Sequence, residues 1–244
     1  MLLSAVFQVP DFATTQWSLV VAAGDDNTSV ARDAVASLYQ TYWYPLYAYV
    51  RRRGLTADDA GDLVQAFFLS LLERRDFGRV SRDRGRFRAF LLASMKHFLA
   101  NDLARRQTLK RGGGADLREL SFDHAEDRYA REPAESVTPE VLYERRWALT
   151  VIEQVLAALR QEWREQGREA LFDALRECLL GTPPPGGYAE TGQRLAISEG
   201  AVKTAVHRLR RRFQAELLRQ VGETVSSPDD AEDEVRRLIQ ALHA

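Results

Sequence analysis

Residues 188–212, YAETGQRLAISEGAVKTAVHRLRRR, constrain this 244-residue chain more than any other segment. Apolar or small residues at Ala189, Gly192, Leu195, Ile197, Val202, Val206 and Leu209 fit two short helices packed across a tight turn. Ser198 stands where the second helix needs a side-chain oxygen for its free N–H groups. The opposite face carries Lys203, Thr204, His207, Arg208 and Arg211. A basic face on the second helix of such a pair suits the major groove of DNA, so the segment predicts a helix-turn-helix and a DNA-binding chain.

The rest of the sequence reads as helical throughout, and the expected fold class is all-α: two small helical domains joined by a flexible linker. A helix-period stripe runs through Ala34, Leu38, Tyr42, Leu46 and Val50, bent at Pro45, and Gly54 closes it. Thr56 is placed to cap the next helix, whose stripe is Ala60, Leu63, Val64, Phe67 and Leu71, with Asp58 and Asp59 in the first turn. A third helix begins after Gly85. From Gly112 to Pro139 the pattern fades into glycines, prolines and acids, as in an interdomain linker. Helices resume at Thr138-Pro139 and near Glu169–Leu180, and a short amphipathic helix follows Pro228. The expected boundaries are an N-terminal extension over 1–24, a first domain over 25–112, a linker over 113–138, a second domain over 139–222 and a C-terminal extension over 223–244.

A net charge of −1 argues against a uniformly basic coat for nucleic acid, but the charge is segregated. Arg79–Arg111 holds ten Lys or Arg against two acids, and Arg194–Arg219 holds seven against two. The stretch between them, Asp116–Glu140, holds eight acids and three Arg. Two basic blocks divided by an acidic connector imply two phosphate-facing surfaces. No apolar run approaches a membrane span, and the first basic residue is Arg32, so no secretory leader and no membrane partner are expected. The single cysteine, Cys178, fits a helix core and a reducing cytoplasm. The four histidines share no metal-ligand spacing, and no phosphate loop or nucleophile elbow is present, so neither a cofactor nor catalysis is expected.

Arg86, Phe87, Arg88, Phe90, Lys96, His97, Phe98, Arg105 and Arg106 mix cations with aromatics, which suits single-stranded DNA held by its phosphates beside unstacked bases. The plainer reading makes the three rings core. DDAGDLVQAFFLSLLERRDF followed by GRFRAFLLASMKHFLANDLARRQTLKR resembles the promoter-melting domain of extracytoplasmic function (ECF) sigma factors of bacterial RNA polymerase. The C-terminal segment resembles their −35-reading domain, and the order matches from about Asp25 to Val221. The resemblance implies a factor that binds polymerase core through its clamp coiled coil and flap and directs initiation at promoter DNA. It assigns Ser198, Lys203, Thr204, His207, Arg208 and Arg211 to the −35 element. It assigns Arg86, Arg88, Lys96, His97, Arg105 and Arg106 to the −10 element, and Asp59, Asp62 and Gln65 to polymerase.

This chain departs from the family pattern at the polymerase-facing helix. The usual Asp-Ala-Glu-Asp stands as Asp59-Ala60-Gly61-Asp62, and Ala66 replaces an acid after Gln65. His97 and Asn101 stand for the usual Asn and Asp, and Thr191-Gly192 for Ile-Ala. Some acid-poor members of the family are linked to Ser/Thr kinases, so the resemblance supports activation by phosphorylation, with Thr56 the first candidate and Ser70 the second; the plain reading leaves Thr56 as an N-cap only. An anti-sigma factor is the other regulator the family would supply. The remaining alternative is a helix-turn-helix regulator that does not bind polymerase core.

Overall fold

The computed structural model describes residues 28–73, 86–108, 125–132, 137–180, 182–222, 224–225 and 228–243. They form nine α-helices and one 3-10 helix, with no strand among the described residues. Two compact units result: residues 1–139 with 222–228, and residues 140–221 with 229–244.

The first unit is built from α1 (Thr28–Arg52), α2 (Ala57–Glu73) and α3 (Phe87–Thr108). Helical spacing brings Tyr42, Leu46 and Val50 of α1, Leu63, Val64 and Phe67 of α2, and Phe87, Leu91 and Met95 of α3 into one core; each is at most 2% exposed. Large rings fill it edge to face, Tyr42 against Phe87 at 5.3 Å and Phe67 against Phe98 at 5.6 Å between centroids. Phe87 is therefore core, as the plainer reading has it. Helix α1 continues through Pro45. It is closed by Gly54 at φ +94, whose N–H donates to Arg51 O at 3.0 Å.

Within the acidic connector stands a short helix, α4 (Ala125–Tyr129), which the fading apolar pattern does not announce. Polar contacts with α1 hold it. The Glu126 carboxylate accepts from Arg51 Nε at 2.7 Å and Nη2 at 2.9 Å, and from the Tyr47 hydroxyl. Tyr44 donates to Glu132 at 2.9 Å, Arg128 lies 4.1 Å over the Tyr44 ring, and Arg51 lies 4.8 Å over Tyr129. The Arg51 guanidinium holds the Glu126 carboxyl below its ordinary value. Glu126→Ala is expected to speed tryptic cleavage after Arg128 and Arg131 about fivefold. That corresponds to about 1 kcal/mol once the half-exposed carboxylate is discounted for solvent screening. Because the folded pKa is depressed, the contact is present above the ordinary glutamate range of about 4.3 and lost as pH falls through the folded value. Fluorescence of Trp43, stacked on Tyr47 at 5.1 Å, should report that acid release.

The second unit centres on α5 (Pro139–Glu165), which buries Leu142, Tyr143, Trp147, Val151, Val155 and Leu159 along one stripe. Helix α6 (Glu169–Leu175) adds Phe172 and Leu175 and passes into the 3-10 helix Arg176–Leu180. Cys178 is buried there, 1% exposed, and burial pushes its thiol pKa up, as a core cysteine requires. Helices α7 (Gly187–Arg194), α8 (Glu199–Gly222) and α9 (Pro228–His243) complete the chain.

Candidate nucleic-acid interface

Helix α7 starts behind Gly186, at φ +74, and ends in a turn that carries the chain into α8. Two features make the turn tight. Ala196 adopts φ +54, a left-handed conformation that costs an L-residue about 1 kcal/mol or more. Gly192 is buried so closely under the turn that a Cβ there would lie 2.7 Å from Ile197 O. The Ile197 N–H returns to Gly192 O at 2.9 Å. Beside it Thr191 is wholly buried, and its hydroxyl has no hydrogen-bond partner among the described residues.

Ser198 caps α8, its Oγ accepting from the Ala201 N–H at 3.1 Å. The inner face of α8 buries Val202, Val206 and Leu209. The outer face leaves Lys203, Thr204, His207, Arg208 and Arg211 exposed together, as their spacing predicts. The basic block is divided by the helix phase. Arg210 turns inward and donates twice to Cys178 O, at 2.9 and 2.7 Å, and Arg212 pairs with Glu162 at 2.8 Å. His207, Arg208 and Arg211 take no ion pair among the described residues. Lys203 is the exception on the outer face. Its Nζ lies 2.7 Å from Glu199 Oε1 and 5.7 Å from the Tyr188 ring centroid, and Glu199 pushes its pKa up. A cleft of about 540 Å³ flanks this face, lined by Trp163, Arg168, Leu171, Ile197, Thr204 and Arg208 among others.

In the first unit, Thr56 caps α2. Its Oγ1 accepts from the Asp59 N–H at 3.2 Å, and its hydroxyl donates to Asp59 Oδ2 at 2.9 Å. Asp62 and Ala66 lie exposed one turn apart. Gln65 is only 9% exposed, and its Nε2 has no hydrogen-bond partner among the described residues. Gly61 is buried as well. The apolar stripe of α2 is wide enough to take in positions 61 and 65, so of the two missing acids only the one at Ala66 belongs to the exposed face. Ser70 is half-buried and donates to Phe67 O at 2.8 Å.

On α3, Lys96 and His97 are exposed and Arg86 is half-buried. Arg88 is 5% exposed and packed into the unit. The side chains of Arg105 and Arg106 lie outside the described residues.

Sequence reasoning missed Glu199 and Tyr188, although the four-residue spacing of Glu199 and Lys203 was a readable helix pair. The left-handed Ala196 had no signal, since alanine is not a residue expected there.

A capped basic helix offered to solvent by the second unit suits a DNA-binding protein. The family model for ECF sigma factors matches residues 14–219, and the chain belongs to that family. No curated protein and no solved structure matches it. As a member of the family the chain is a sigma factor, whose partners are RNA polymerase core and promoter DNA and whose role is in transcription initiation. Among the described residues no helix is long and apolar enough to cross a membrane.

Proposed function

We propose that the outer face of α8 reads the −35 promoter element and that the exposed side of α2, with Asp59 and Asp62, binds polymerase core. The observation that carries the reading is the division of α8: Arg210 is bonded inward and Arg212 is paired with Glu162, while Lys203, Thr204, His207, Arg208 and Arg211 face solvent on one side. Lys96 and His97 of α3, with Arg86, Arg105 and Arg106, form the −10 surface in this reading. The test is run-off transcription with purified core from a promoter carrying both elements. The whole chain should support it, and residues 1–115 alone should not, because joining two weak surfaces raises their effective concentration. A transcript from the truncated chain overturns the two-surface reading.

The finer reading is control by a Ser/Thr kinase acting at Thr56. Thr56 is exposed, and Arg53, Asp59 and Asp102 line the same shallow pocket of about 360 Å³. A phosphate adds about −1.5 to −2 charges at a helix N-terminus, on a helix with Ala66 where an acid is usual. It also displaces the present bond to Asp59, so the gain must exceed a like-charge contact. Ser70 is less accessible because its hydroxyl is engaged with Phe67. Thr56→Asp keeps the cap and adds charge. It is expected to tighten core binding several-fold by titration against labelled core. Full-affinity binding by unmodified wild type, with no gain in Thr56→Asp or Thr56→Glu, removes the switch.

A further inference from the structure

We propose that Glu199 and Lys203 act as one unit that reads the orientation of a single base pair in the major groove, taking guanine or thymine on one strand with its complement on the other. The inference rests on the −35 reading above and adds both a base-pair orientation and a second residue to it.

Glu199 is the only acid in the first two turns of α8, on a helix face whose other polar groups are hydroxyl, ammonium, imidazole or guanidinium. A carboxylate there faces a polyanion and by itself weakens DNA binding. Its partner changes that sign. With Nζ and Oε1 at 2.7 Å and both side chains about half exposed, the pair presents a donor beside an acceptor with almost no net charge. The Tyr188 ring limits where the ammonium can swing. The Ser198 cap fixes the first turn from which Glu199 projects.

The major-groove edge of a G·C pair has the complementary form. Guanine O6 accepts and cytosine N4–H donates, and these two atoms are themselves hydrogen-bonded at about 2.9 Å. An ammonium and a carboxylate 2.7 Å apart therefore meet O6 and N4 in register, each keeping its bond to the other while making one to its base. An A·T pair in the same place inverts both atoms. Adenine N6–H₂ then confronts the ammonium and thymine O4 the carboxylate, and a C·G pair inverts them in the same way, whereas T·A offers thymine O4 and adenine N6–H in the favoured order; the pair therefore accepts guanine or thymine on the strand facing Lys203 and rejects adenine or cytosine there. Arginine alone would read guanine; adding the acid checks the opposite strand.

The experiment selects functional promoters from a library randomised over the −35 region, using holoenzyme assembled from purified core and the full chain. Wild type should require guanine or thymine, against adenine or cytosine, on one strand at one position. Glu199→Gln should relax the requirement at that position about tenfold while binding other sequences as well as or better than before, since a negative charge near phosphates has gone. Lys203→Ala should relax the same position, and the double variant should add nothing further there. Glu199→Asp keeps a charge in the first helical turn but shortens the reach, so relaxation by this variant too separates base contact from helix stabilisation.

If Glu199→Gln shifts all sequences together with unchanged ranking, or relaxes a different position from Lys203→Ala, the pair is an ordinary surface contact and the inference fails. If wild type shows no −35 preference, and Arg208→Ala with Arg211→Ala changes nothing, the −35 reading itself fails. The two failures are therefore distinct.

Discussion

Gly192→Ala should lower the melting temperature of the second unit by about 10 °C and abolish −35 binding. Alanine is the better helix former by about 1 kcal/mol, so propensity alone predicts stabilisation. Against this, the new Cβ would stand 2.7 Å from Ile197 O, a backbone atom that cannot rotate away. Overpacking of this kind costs about 1–3 kcal/mol or more, and relieving it means moving the turn that aims α8. A net loss of about 2 kcal/mol corresponds to the stated shift for a unit of this size. Ala196→Gly should act in the opposite direction, recovering about 1 kcal/mol by removing the strain of an L-residue at φ +54. The two sites flank one turn, so their effects should be non-additive, with Ala196→Gly rescuing part of Gly192→Ala. Circular dichroism melts of the four proteins measure this. A Gly192→Ala chain that melts at or above wild type overturns the argument.

Replacing Arg208 and Arg211 together by alanine should weaken promoter binding roughly a hundredfold, at about 1.5 kcal/mol for each charge-assisted contact. The loss should be similar for all −35 sequences. The slope of log affinity against log salt should flatten by about 1.8, since each lost phosphate contact removes about 0.9. Arg210→Ala makes the informative contrast. Its guanidinium serves Cys178 O, so that variant should lower the melting temperature while leaving the salt slope unchanged. Equal slopes for Arg210→Ala and the Arg208/Arg211 double variant would contradict the division of the basic block. Titration at several salt concentrations by fluorescence anisotropy distinguishes the cases.

Helix existence and type were legible because the apolar stripes of α1, α2, α3 and α5 are long and regular. The outer face of α8 was legible for the same reason: once Val202, Val206 and Leu209 are fixed inward, Lys203, Thr204, His207, Arg208 and Arg211 must point away. Residues at the rim of a stripe were not legible. Gln65 and Arg88 look polar in sequence, yet neighbouring apolar positions draw them into the packed interior. Helix α4 escaped detection because ion pairs and rings on a distant helix hold it, and local periodicity carries no trace of such partners. The strained Ala196 follows from closure of the turn rather than from its own preference.

The docking of α4 also pins the connector part-way along. Thirty residues separate Thr108 from Pro139 in the sequence. Glu126 and Glu132, bonded to α1, tie that stretch back to the first unit at two points. High salt or acid, by loosening Glu126, would release one of the two ties.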